Sequence, residues 1–190
     1  VSDWAKVFHI QVNRFKEITI LHNGKNRHIK LRKNLNGPIY SRSTDGLVKR
    51  EDPYILDEFE SFLSGGIYGA PQNLKENFKY NHFMNPMTIV VTDFSDLAYE
   101  FHFGSARAQT ESEINRQEFA ANMISPANTQ DLVPYTLRIS SRSTKSDLRF
   151  NNVKLNLEIS EQIKGMYFEV TRERIAEILK LFDSNENNPN

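Results

Sequence analysis

VKLNLEISEQIKGMYFEVTRERIAEILKLF, residues 153–182, is the stretch on which the reading of the fold turns. Val153, Leu155, Leu157 and Ile159 alternate with Lys154, Asn156, Glu158 and Ser160, the period of a strand with one buried face. Gly165 lies in a short polar connection, and Met166, Phe168 and Val170 resume the alternation, so the two runs read as a β-hairpin. Thr171 has the chemistry of a helix N-cap, because its hydroxyl accepts an otherwise orphaned backbone N–H. Ile175, Ile178, Leu179 and Phe182 then fall on one helical face. Burying those four contributes on the order of 8 kcal/mol before entropy is subtracted. The expectation is a strand pair closed by a docked helix, a scaffold without chemistry of its own.

Upstream, short alternating runs dominate. Phe8, Ile10 and Val12 suggest a first strand, and Ile18 and Ile20 face Ile29 and Leu31 across His22-Asn23-Gly24-Lys25-Asn26-Arg27. Asn-Gly tolerates the positive φ of a tight hairpin turn. A loop over residues 23–26 would set Ile20 opposite Ile29, Ile18 opposite Leu31 and Glu17 opposite Arg32, leaving His28, Lys30 and Arg32 on the outer face. Residues 41–46, Ser-Arg-Ser-Thr-Asp-Gly, read as an exposed loop. Pro53 starts a helix that runs to Leu63 and stops at Gly65-Gly66. Residues 65–86 read as a long loop with pinned aromatics.

Met87–Thr92 has the character of a buried strand, Asp93–Asp96 turns the chain, and Leu97, Tyr99, Phe101 and Phe103 alternate again. Thr110 with Glu113 forms a capping box for a helix ending before Pro126. Residues 126–133 read as loop, Tyr135, Leu137 and Ile139 as a strand, and residues 141–146 as a second polar loop. The sum is a β-rich α+β domain over residues 1–182. It is expected to be an open β-barrel or sandwich of about eight short, mostly antiparallel strands with two or three peripheral helices. Residues 183–190 have the composition of a linker or free tail, which suggests a covalently linked effector domain after Asn190.

The 190 residues contain no cysteine, which removes disulfides, zinc ribbons and thiol catalysis. No apolar run approaches membrane-spanning length and the first residues carry no signal-peptide pattern, so a cytoplasmic protein is expected. Twenty-four bases balance 24 acids, but they are segregated. Ten bases lie between Arg14 and Arg50 against Glu17 and Asp45, whereas residues 51–60 hold five acids and no base. Arg138, Arg142, Lys145 and Arg149 form a second basic segment around Asp147. A neutral chain so divided can still present a positive face.

Phosphate-binding glycine loops and metal-ligand histidine spacings are absent, and no cofactor or metal is implied. Asp93, Glu100 and His102 resemble the acid-and-base grouping of a magnesium-dependent nuclease, yet they also fit a polar turn beside a solvated strand face. The tetrapeptide Ser-Arg-Ser-Thr occurs at 41–44 and again at 141–144. Arginine flanked by hydroxyls suits phosphate and base-edge contacts, although two solvated loops would look the same. The reading is therefore a non-catalytic nucleic-acid-binding domain, with duplex DNA as partner. Arg27, Lys30, Arg32 and Lys33 would grip phosphates, and Arg42 with Ser43 and Arg142 with Ser143 would enter one groove from opposite walls. Lys145 and Arg149 would extend the second wall. The alternative is a protein-interaction or assembly domain, in which the acidic helix around Glu58 meets the basic face.

Overall fold

The structure, a computed structural model, describes residues 8–11, 15–22, 24–33, 40–44, 47–50, 72–73, 87–115, 131–142 and 151–176. Its strands are β1 (Phe15–His22), β2 (Lys25–Lys33), β3 (Tyr40–Thr44), β4 (Leu47–Arg50), β5 (Gln72–Asn73), β6 (Met87–Asp93), β7 (Leu97–Phe103), β8 (Leu132–Ser141) and β9 (Met166–Thr171). Residues 111–115 form helix α1, Asn151–Gln162 form α2, and residues 172–176 form α3. The strands make one sheet in the order β4-β3-β2-β1-β6-β7-β8-β9-β5, antiparallel at every pairing. The β-rich α+β class holds. The barrel or sandwich does not, because β4 and β5 end the order without pairing to each other and no second sheet faces the first among the described residues.

The decisive stretch folds differently from its period-2 pattern. Residues 151–162 are helical, and the buried positions are Val153, Asn156, Ile159 and Ile163, which share one helical face. Leu155, an inward position in a strand, is 40% exposed, and Asn156, an outward one, is fully buried. Eight residues of alternating Leu, Ile and polar side chains satisfy both periods, so the tertiary partner decides. That partner is the sheet, against which α2 packs beside β8. Burying Val153, Ile159 and Ile163 contributes roughly 6 kcal/mol gross. Gly165 ends the helix with φ +79, a conformation that costs glycine least, and Met166 N–H bonds Ile163 C=O at 3.0 Å. β9 therefore pairs with β8, Phe168 opposite Tyr135, rather than with residues 153–160. Residues 172–176 turn helical directly after Thr171, and Ile175 is buried.

One face of the sheet is the core. Ile18, Ile20, Ile89, Val91, Leu97, Tyr99, Phe101, Phe103, Leu137 and Ile139 line it in register and are all at most 6% exposed. Phe101, Phe103, Tyr135 and Phe168 form a run of ring contacts with centroids 5.6–6.2 Å apart, and Phe8 meets Phe168 edge-on at 6.5 Å. Phe8 and Ile10 are buried as their alternation requires, but residues 8–11 lie outside the named strands; Phe8 makes only a bridge. β8 begins at Leu132, inside the span expected to be loop. The helix expected at 53–63 and the tail at 183–190 lie outside the described residues, and of the loop expected at 65–86 only β5 is described.

Candidate functional site

The basic segment becomes a run of strands. β1 and β2 pair up to His22 and Lys25, which leaves a two-residue connection in which Gly24 has φ +72. That short turn sets Ile18 opposite Ile29, Ile20 opposite Arg27 and Glu17 opposite Lys30. The register is two residues away from the one implied by a four-residue loop. A shift of two keeps every position on its own side of the sheet, so His28 now stands opposite Thr19 and Lys30 opposite Glu17.

Ser41–Thr44 is not a loop. It is the body of β3, where Lys30 pairs with Ser43, Leu31 with Arg42, Arg32 with Ser41, and Ser41 in turn with Arg50 of β4. Thr44 pairs with Leu47 across Asp45-Gly46, a hairpin signal that the hydroxyl-rich run obscured. Lys49 and Arg50, left out of the expected set, join the same group. Across β1–β4 the residues are Lys16, Lys25, Arg27, Lys30, Arg32, Lys33, Arg42, Lys49 and Arg50 against a single acid, Glu17.

Positions within that group are not equivalent: Arg27 sits toward the turn, five residues and about 17 Å along the strand from Arg32. The group's other end lies beside the β6–β7 turn, since Phe15 pairs with Asp93 and Leu97 with Ser141. Arg142 is exposed there, its N–H bonded to Asp96 C=O at 2.9 Å. Arg42 and Arg142 are thus five strand intervals apart, about 24 Å, twice the roughly 12 Å width of a B-DNA major groove. Arg42 stands in a strand and not in the expected loop. Ser143, Lys145 and Arg149 lie outside the described residues.

The second constellation does not converge either. Asp93 is fully buried: its Oδ1 accepts from Ser95 N–H at 2.8 Å, the Ser95 hydroxyl at 2.6 Å and Leu97 N–H at 3.1 Å, and its Oδ2 accepts from the Tyr99 hydroxyl at 2.8 Å. Glu100 and His102 alternate with Tyr99 and so occupy the opposite face, where Glu100 Oε2 is 3.9 Å from His102 Nε2 and Thr88 Oγ1 is 3.2 Å from His102 Nδ1. Among the described residues, no three His, Asp or Glu side chains are grouped to hold a metal ion.

Two polar clusters were not legible beforehand. Asn156 donates to the Tyr99 hydroxyl and to Gln11 C=O, both at 2.9 Å, and accepts from Gln11 N–H at 3.2 Å. Burial, and then the neighbouring Asp93, push the Tyr99 hydroxyl far above the ordinary tyrosine range, so it remains a donor. The network ties α2, residues 8–11 and the β6–β7 turn together. In the other cluster Arg107 forks onto Glu113 at 2.8 and 3.0 Å and onto Glu169 at 2.6 and 2.7 Å. Glu113 also accepts from Thr110 N–H at 2.7 Å, the expected capping box. Arg107 first, and the Thr110 N–H after it, hold the Glu113 carboxyl down at about 2.

No known protein family, no curated protein and no solved structure matches this chain. Among the described residues no helix is long and apolar enough to cross a membrane.

Proposed function

We propose that this chain is a nucleic-acid-binding domain that grips duplex DNA through the phosphate backbone, using β1–β4 rather than a pair of loops. One observation carries the reading: strand order and register gather nine bases and one acid into four adjacent strands. Four strands span about 14 Å across and β2 about 30 Å along, and 30 Å of duplex carries about 18 phosphates. Lys30, Arg32 and Arg50 hold positions on the side of the sheet opposite Ile18 and Ile20 and are the phosphate contacts, whereas Arg27, Lys33 and Arg42 hold positions on the Ile18 side. A nucleic-acid ligand and a cysteine-free chain both suit the cytoplasm.

The test is anisotropy with a random duplex between 50 and 200 mM salt. Three phosphate contacts would lower affinity by about 40-fold over that range. Lys30→Ala and Arg32→Ala should each reduce the salt slope by about 0.9 and weaken all sequences alike. Absence of binding at 50 mM salt overturns the proposal.

A further inference from the structure

Three large apolar side chains are exposed among the described residues: Leu21, Phe94 and Leu155. Single exposed apolar groups are ordinary, but Phe94 differs from the other two in what surrounds it. It occupies the three-residue connection between β6 and β7, a turn closed by Asp96 N–H on Asp93 C=O at 3.1 Å. The three donors from Ser95 and Leu97 on Asp93 Oδ1 clamp that turn from inside. Asp96 then adopts φ +60, a left-handed position that glycine or asparagine fills at less cost. Its carboxylate pairs with Lys16 at 2.7 Å, and its carbonyl holds the Arg142 N–H. The result is a ring, 38% exposed, on a clamped turn to which a lysine is ion-paired and an exposed arginine is tied through its backbone.

An exposed aromatic side chain on a turn that also binds Lys16 and the Arg142 backbone suits a nucleobase with its flanking phosphates, because every base has a face to stack and every linkage a charge. We infer that Phe94 stacks on an unpaired base while Lys16 and Arg142 hold the neighbouring phosphates, so that the preferred ligand is a junction between duplex and single strand. The inference rests on the proposed duplex grip. From β3 to the β6–β7 turn is three strand intervals, about 14 Å, or roughly four steps of 3.4 Å along a strand. An overhang that leaves a duplex held on β2–β4 at the Lys33 end therefore reaches Phe94 with about four nucleotides. The clamp lowers the entropy lost when the ring engages.

The experiment compares a blunt duplex with the same duplex carrying a five-nucleotide overhang, by anisotropy, for the wild-type chain, Phe94→Leu and Phe94→Trp. The wild type should favour the overhang about 5- to 150-fold, the range expected from one stacked base. Phe94→Leu keeps an apolar side chain but loses the aromatic face; it should abolish that preference and leave blunt-duplex affinity unchanged, whereas Phe94→Trp should retain it. A thermal melt of each variant separates stacking from folding, and if Phe94→Leu melts lower, Phe94→Trp with its quenching by a stacked overhang base decides. Equal wild-type affinity for both ligands, or a preference that survives in Phe94→Leu, overturns the inference while leaving the duplex grip standing. A wild-type chain that binds neither ligand overturns the proposed function and the inference with it.

Discussion

Along β6, β7 and β8 nearly every residue is buried or half-buried and α2 packs beside β8, whereas β2, β3 and β4 read Lys-Asn-Arg-His-Ile-Lys-Leu-Arg-Lys, Tyr-Ser-Arg-Ser-Thr and Leu-Val-Lys-Arg. The two regions share one hydrogen-bonded ladder through β1. Their compositions differ sharply although the backbone pairing that joins them is continuous. In the covered region, strand charges amount to Asp93, Glu100, Arg138 and Glu169, and Asp93 is consumed by its own turn. In the extension nearly every charge is positive. The first region holds the buried core, and the second carries the charge from which binding is proposed.

The sharpest way to break this comparison is to remove core from the covered region. Phe168→Ala should cost ~3–5 kcal/mol, read as a lower urea midpoint, because Phe168 is 1% exposed and touches the rings of Phe8 and Tyr135. A comparable loss from Lys30→Ala would show that the extension is as much core as the rest.

Asn156→Ala tests whether polar burial belongs to the same region, at a smaller scale. It takes the acceptor from Gln11 N–H, leaves Gln11 C=O to Asn152 at 3.2 Å and removes one partner of Tyr99, for an expected ~1–3 kcal/mol by the same measurement. A loss below ~0.5 kcal/mol would mean that residues 8–11 detach without consequence.

A smaller effect is pH-dependent. Glu113 sits at about 2 in the fold against an ordinary 4.5, so its contribution is complete above about pH 4.5 and fades as pH falls through 2. Its side chain is 31% exposed, and solvent screening limits the contribution to about 1–2 kcal/mol. Wild type should exceed Glu113→Gln by that amount at pH 7 and by almost nothing at pH 2. A gap that persists undiminished at pH 2 would assign the contribution to packing instead.

The smallest expected effect is none. Glu100→Gln combined with His102→Ala lies on the outer face of the covered region and should shift stability by no more than ~0.5 kcal/mol, with DNA affinity unchanged. Lost affinity in a folded variant would extend the binding surface across β6 and β7.

How much of this was legible depends on whether the signal is local. The alternation of Leu97, Tyr99, Phe101 and Phe103, the Asn-Gly turn and the Thr110–Glu113 capping box are each decided within a few residues, and each is present. The helix at 151–162 was hidden because its buried face includes Asn156, a polar residue whose partners, Gln11 and Tyr99, are 145 and 57 residues away. β3 was hidden because Ser, Arg and Thr carry no burial period. Of the binding residues expected from the sequence, Arg27, Lys30, Arg32, Lys33 and Arg42 share neighbouring strands. Their separation from Arg142 follows from strand order, which no short motif encodes.

β1 belongs to both regions, and that has a kinetic consequence. Its pairing with β2 closes over two residues, an event of microseconds. Its pairing with β6 joins Ile18 to Val91, and closing a loop of about 70 residues costs roughly 4 kcal/mol in chain entropy. The hairpin is expected to form early and transiently, and to be held only once β6 covers its open edge. Zipping of β1 onto β6 is the step in which the sheet becomes continuous, and lengthening or shortening the chain between Arg50 and Met87 tunes its rate more than it tunes the stability of the finished fold.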